Sequence, residues 1–440
     1  MILLSLLSKG FFAMVDGTRR AILGGITLAA GALSVRTSSA AEADGHAAGY
    51  DVAPASKFAS TIPRKVGDAV SFTTSLDKGS LKATSGGWAR DVTARILPIA
   101  TDIAGAHLYL NAGGVREMHW HTSDEWAYIL AGRCQVTVVD PSGEMEVANY
   151  GPGDLWYFPK GHSHAIQTLG AEPCHAILAF NDGLYGEHGT FGLSDWASRL
   201  DPAMMAQVFG MPEDSIAGIP SGEVYIRQGA LMPLDGPQSR ATKVLSRSRT
   251  HRYPMLAAGP QTSSDGGSLA IASAEDYPLS AGMTGMLLRL QPGALHEPHW
   301  HPNANEWHYV SRGRTRVTLF APDKRLSVAE LSAGDCAYLP RGCGHTVQNI
   351  GKEECEVVGV LDSGSYQETS LSDWVQRVPV HLLANNLGLP DEAFAKLARK
   401  KSVIIAASKL DFGHSCGVAE GIGPGRWQTE AGFCSGASAR

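Results

Sequence analysis

Charge is scarce in this chain and nearly balanced. Only 18% of the residues are charged, with 37 Lys and Arg against 43 Asp and Glu and a formal net charge of -6. That balance excludes nucleic acid or an anionic membrane as the main partner. It leaves a small anion open, because a bound metal and one arginine set the field inside a cavity whatever the total charge. Cysteine is also scarce: seven residues, an odd number, with no CxxC pair. A zinc knuckle or thioredoxin-type site is therefore unexpected. Cys134, Cys174, Cys336 and Cys355 fall in apparent strands and read as small buried hydrophobes. Cys343 has no assigned role, and Cys416 and Cys434 could pair with each other, which spacing alone does not decide. A comfortable membrane span is missing as well, since the apolar run Ala21 to Val35 is short and Gly-rich.

That run does fit a targeting segment. Arg19-Arg20 precede it and the small residues Ser38-Ser39-Ala40-Ala41 follow, the order of an export signal. The paired arginines resemble a twin-arginine signal, so residues 1–41 are expected to direct export to a periplasmic or secreted location. Met14 is an alternative start, and the mature chain would begin near Ala41 to Ala43. No membrane association is expected after the signal is removed.

Hydrophobic residues make up 44% of the 440, and Gly (50) and Pro (23) are plentiful. At roughly 150 residues per domain, two or three turn-rich globular domains are expected. The chain then repeats itself. His119-Trp120-His121 followed by Glu125-Trp126 recurs as His299-Trp300-His301 followed by Glu306-Trp307. Gly153-Asp154 with Pro159 recurs as Gly334-Asp335 with Pro340, and His164 recurs as His345. Leu193-Ser194-Asp195-Trp196 recurs as Leu371-Ser372-Asp373-Trp374. Anchors holding nearly one offset imply a duplicated domain. Trp126 to Val139 and Glu306 to Phe320 read as strands interrupted by Gly132-Arg133 and Gly313-Arg314. Short strands at regular spacing predict an antiparallel sandwich or barrel in each repeat. Asp201 to Phe209 and Asp391 to Lys400 read as helices on the outside. The expected domains are 60–220 and 268–400, joined by a polar linker at 221–267 and followed by a flexible tail at 408–440.

Each repeat carries metal-ligand chemistry. His119 and His121 are two apart, so on a strand both imidazoles face one side. Glu125 lies four residues on, and His164 follows it by 39; Glu306 and His345 keep the same gap. A lone HxH on a strand is weak evidence. Three histidines and a carboxylate, twice, suit a divalent transition metal. On an octahedral ion they leave two positions open.

These motifs are similar to the two cupin motifs, and their pairing resembles the bicupin oxalate decarboxylase family. The likeness covers about Thr61 to Leu397. It implies an all-β fold of two tandem cupin barrels, each a double-stranded β-helix with flanking helices. It implies two Mn(II) per chain, at His119, His121, Glu125 and His164 and at His299, His301, Glu306 and His345, with O2 as co-catalyst and oxalate as substrate. It suggests homo-oligomers built from trimers.

By the same resemblance, Arg116 polarises the bound carboxylate and Glu187, in a Gly-flanked lid before Thr190-Phe191, is the general acid/base. The lid departs from the family's Ser-Glu-Asn-Ser-like pattern: His188 replaces an amide, and Gly186 and Gly189 replace serines. In the second repeat His296 stands at the arginine position, Gly359 at the position of the family's second-barrel glutamate, and no proton donor is expected. That centre reads as structural or as an electron relay. Trp120 and Trp300, between ligand histidines, read as packing residues pointing away from the metal. The implied reaction takes mono-protonated oxalate to CO2 and formate. Oxalate oxidation to peroxide and CO2, another bicupin dioxygenase activity and a non-enzymatic bicupin role are the alternatives.

Overall fold

The computed structural model describes residues 71–236, 249–322, 325–394 and 402–407. Residues 1–41, expected to be an export signal, and residues 408–440, expected to be a flexible tail, lie outside the described residues. Among those described, every ladder between extended strands is antiparallel, and the strands form two seven-stranded and two six-stranded sheets. One seven-stranded and one six-stranded sheet face each other in each repeat, so each repeat is a closed sandwich with its apolar faces inside. No helix among the described residues is long and apolar enough to cross a membrane.

The turns follow from glycine where side chains cannot fit. Gly132 and Gly313 lie at φ 73° and 83° where the chain crosses from one sheet to the other, after Glu125–Ala131 and after Glu306–Arg312. A Cβ on Gly132 would come within 2.0 Å of the Pro173 carbonyl oxygen, and one on Gly313 within 2.7 Å of the Cys355 Cβ. Both positions therefore require glycine twice over, for backbone angle and for space. The four cysteines read as buried hydrophobes, Cys134, Cys174, Cys336 and Cys355, are buried and outside any disulfide, and Cys343 is buried too.

The repeats are laced together. Thr73–Ser75, which precedes the first repeat, pairs with Asp335–Ala337 of the second. Arg252–Tyr253, which precedes the second, pairs with Leu155–Trp156 of the first. One apolar core runs through the junction and includes Trp126, Tyr128 and Ile177 with Trp307, Tyr309 and Val358. The packing is reciprocal: a Cβ on Gly105 would meet the Trp307 ring at 2.1 Å, and one on Gly285 the Trp126 ring at 2.6 Å. Residues 221–267 do more than connect. Ile226–Gln228 adds a strand to Gly114–Arg116, as Ile404–Ile405 does to Leu295–His296.

Helices lie after each sandwich. Pro202–Phe209 is capped by Asp201, whose carboxylate accepts from the Ala203 and Met204 amides. The Asp-Trp anchors open the helices Leu193–Arg199 and Leu371–Arg377. Of the second predicted helix, Asp391–Phe394 is a 3-10 turn and the rest is outside the described residues.

Candidate metal centres

Two strands and one strand start build the first centre. His119 and His121 end the strand Gly114–His121, His164 lies on Ser163–Thr168, and Glu125 opens Glu125–Ala131 of the facing sheet. His119 is paired directly with His164. Regular alternation would put Arg116, three residues before His119, on the opposite face. A bulge prevents this: His164 and Ile166 are two apart, while their partners His119 and Arg116 are three apart. The extra residue returns Arg116 to the interior side, and Met118 turns outward, 55% exposed. The second repeat has the same shift between His296 and His299, with Pro298 at the exposed position.

In each centre all four donor atoms lie within 4.8 Å of one another and all four residues are buried. At the first, Glu125 Oε2 is 2.9 Å from His121 Nε2 and 3.3 Å from His164 Nε2. At the second, Glu306 Oε2 is 3.1 Å from His301 Nε2 and 3.0 Å from His345 Nε2. The outer ring nitrogens are already held. His119 Nδ1 faces the Glu117 carbonyl at 2.7 Å, His121 Nδ1 the Thr190 hydroxyl at 2.9 Å, and His164 Nδ1 the His162 carbonyl at 3.0 Å. At the second centre the corresponding acceptors are the carbonyls of Glu297, Gln367 and Cys343. The Nε2 atoms of His121, His164, His301 and His345 are buried with no partner beyond the carboxylate they face, and His299 Nε2 is buried with no hydrogen-bond partner. An imidazole donating through Nδ1 leaves Nε2 as a lone pair aimed at the common point. This orphaned donor set fits a divalent metal.

Electrostatics agree at the first centre, whereas at the second, against burial, the Glu306 carboxylate lifts His301 above the usual histidine range. Burial, then the Arg116 guanidinium and the two neighbouring imidazoles, hold His119 well below the usual histidine range. Burial opposes the charge on Glu125, but His164 and His121 outweigh it and keep the carboxylate ionised. At the second centre Glu306 is likewise held far down by His308 and His301 against burial. Trp156 Nε1 donates to Glu125 Oε1 at 2.9 Å, and His308 takes the equivalent place on Glu306. Neutral imidazoles and an anionic carboxylate are the forms that bind metal.

Beside the first centre is a cavity of about 160 Å³, lined by Arg116, Lys82, Asp91, Tyr185, Glu223 and Tyr225. Drug-sized ligands occupy pockets of roughly 300 Å³ and more. Arg116 is 5% exposed. Its guanidinium donates to the Tyr225 carbonyl at 3.1 Å and lies 4.0 Å over the Tyr225 ring. Tyr225 is the one non-glycine residue with positive φ, 62°, among the described residues. That backbone aims its carbonyl at the arginine, and Glu117 Oε1 fixes it by accepting from the Tyr225 amide at 2.8 Å. Asp91 is held above the usual carboxyl range by burial, against the Tyr185 hydroxyl and Arg116.

Glu187 falls in the helical turn Tyr185–His188, where a loop was expected; its side chain lies outside the described set. Trp120 turns away from the centre and stacks on Phe191, edge-on to Trp196; Trp300 meets Trp374 the same way.

A buried carboxylate to which the sequence reading gave no role stands beside the second centre. Glu368, with its side chain 2% exposed, lies 3.2 Å from His296 Nε2 and accepts from the Tyr366 hydroxyl at 2.6 Å. Counting back three residues from Leu371 reaches Glu368, as counting back from Leu193 reaches Thr190, so the signal was in the repeat. Tyr225 had no such signal.

The Cupin model matches residues 75–216 and 254–393. The chain is 34% identical over 326 residues to the oxalate decarboxylase OxdC of Bacillus subtilis (strain 168), covering 73% of this chain and 83% of that one. It is 30% identical over 323 residues to a probable oxalate decarboxylase of Arthroderma benhamiae, covering 73% and 80%. A solved structure of the Bacillus subtilis oxalate decarboxylase, a protein with Mn(II) centers, superposes with a TM-score of 0.72 at 33% identity over 78% of this chain and 90% of that one. A duplicated cupin fold, both His3Glu sets and matches across most of the chain make it a member of the bicupin oxalate decarboxylase family.

Proposed function

We propose that the chain converts mono-protonated oxalate to formate and CO2 at the first centre, with His119, His121, Glu125 and His164 holding Mn(II). The observation that carries this reading is the buried Arg116 beside the four donors, in a cavity of about 160 Å³. A guanidinium suits a planar carboxylate, and the small volume suits a two-carbon diacid better than a bulky aromatic substrate. Manganese bound there, with O2 as co-catalyst, supplies the one-electron oxidation that lets the oxalate C–C bond break.

The chain's own groups do the rest. Arg116 neutralises and polarises the bound carboxylate, and the Tyr225 carbonyl and ring fix it in place. Thr190 holds the His121 ring with Nε2 toward the donor set. Glu187 takes the oxalate proton as one electron leaves, and after CO2 departs it returns the proton to the formyl carbon as that electron comes back. One C–C bond breaks and one C–H bond forms, with no net oxidation. The turn that carries Glu187 contains Gly186 and lies between Gly183 and Gly189, a composition that suits a lid.

The second set, His299, His301, Glu306 and His345, holds a second Mn(II) in a structural or electron-relay role. The chain acts as an exported homo-oligomer, a trimer or hexamer, with no nucleic-acid or membrane partner. The test is a product assay on oxalate with the Mn-loaded protein. Formate and CO2 in equal amounts are expected, and Glu187→Ala should lower formate production by about 10²- to 10⁴-fold. Peroxide with two CO2 would favour an oxidase instead. Full decarboxylation by Glu187→Ala would remove that residue from the mechanism.

A further inference from the structure

The strand after each lid runs along its centre in matching register. In the first repeat Thr190, Phe191 and Gly192 pair with His121, Trp120 and His119. In the second, Thr369 and Ser370 pair with Trp300 and His299. Glu368 therefore holds the place of Thr190. It does not take over that residue's task, since His301 Nδ1 bonds the Gln367 carbonyl at 2.6 Å. Its carboxylate turns to His296, which holds the place of Arg116.

The contrast is chemical. At the first centre a guanidinium lines a cavity able to take a carboxylate from outside. At the second an imidazole and a tyrosine hydroxyl hold a carboxylate that belongs to the chain. The His296 ring stacks on His299 at 3.9 Å, and the donor atoms of His296, His299 and Glu368 lie within 4.8 Å of one another. Tyr366 packs edge-on to His301 at 5.4 Å. The carboxylate thus sits against the ligand histidines with the negative charge an incoming carboxylate would bring.

We propose that Glu368 is an internal stand-in for substrate: held by His296 and Tyr366, it closes the second centre to small carboxylates. The duplicated centre keeps its donor set and loses its guest site, by two changes that complement each other. An incoming anion would meet both occupied space and like charge. The inference rests on Mn(II) at both centres, but not on turnover.

The test uses the full-length Mn-loaded protein and ¹³C-formate, read by electron–nuclear double resonance at each Mn(II). In the wild type, ¹³C coupling is expected at one manganese of the two. In Glu368→Ala it is expected at both, with formate affinity at the second rising about tenfold or more. Glu368→Thr installs the residue of the first repeat in the same register and should behave alike; it carries the test if the alanine variant loses metal. Formate coupling at both ions of the wild type would overturn the proposal and make His296 and Glu368 part of a second working site. So would coupling at one ion only in a variant that retains two manganese per chain. Failure of oxalate turnover with these couplings as expected would count against the proposed reaction alone.

Discussion

The two centres share four donors, the same bulge and the same outward-turned tryptophan, yet they differ in what lies beside the donor set. The first has Arg116 on a cavity wall, tethered by a tyrosine with left-handed backbone. The second has His296 tied to Glu368. Duplication preserves what folding and metal capture need, because those depend on strand parity and on backbone carbonyls, with the Thr190 hydroxyl at His121, that orient the imidazoles. The immediate surroundings are free to diverge, and on the present reading the chemistry is decided there.

The comparison can be broken most sharply at the arginine. Arg116→Leu should keep both metals and lower kcat/KM for oxalate by about 10²- to 10³-fold, the usual loss when a charge-stabilising donor is removed. His296→Arg should add no second activity while Glu368 remains. Steady-state kinetics with metal analysis decides both; a small loss in Arg116→Leu would separate the cavity from the reaction.

A smaller effect tests the symmetry of the junction. Gly105→Ala and Gly285→Ala each press a methyl group into a buried tryptophan of the other repeat. Each should cost about 1–3 kcal/mol by overpacking, and the two losses should be similar. Denaturant unfolding measures this. A neutral result at one site alone would show that the two halves of the core do not mirror each other.

The smallest effect concerns pH. His107 and His175 pair at 3.0 Å on the first repeat, where the second carries Leu287 and an Arg289–Glu356 ion pair. Burial first, then His175, lowers His107 to about 4. Its folded form stays neutral while the unfolded chain takes a proton near 6.5, so stability is full above that pH and falls as pH drops toward 4. The loss is at most about 3 kcal/mol. His107→Leu should flatten the stability–pH curve in that window, and an unchanged slope would remove His107 as its source.

Much of this was legible in the chain. Periodicity and the repeated anchors predicted a duplicated β-sandwich, and HxH with a following Glu and a distant His located both donor sets. The face on which Arg116 lies was not legible from alternation, because a bulge reverses parity and leaves no mark in residue type. Tyr225 sits on a segment read as linker, and its role is set by backbone angle and not by composition. Glu368 was visible in its offset from Leu371, but nothing in its residue type marked it as facing the donor set.

The most direct test of the central claim, that the chemistry belongs to the first repeat, is formate production in two matched variants with manganese counted. His164→Ala and His345→Ala should each fall to one manganese per chain. Formate production should be lost in His164→Ala and retained within about tenfold in His345→Ala. The opposite pattern, or equal loss in both at equal metal content, would contradict the account.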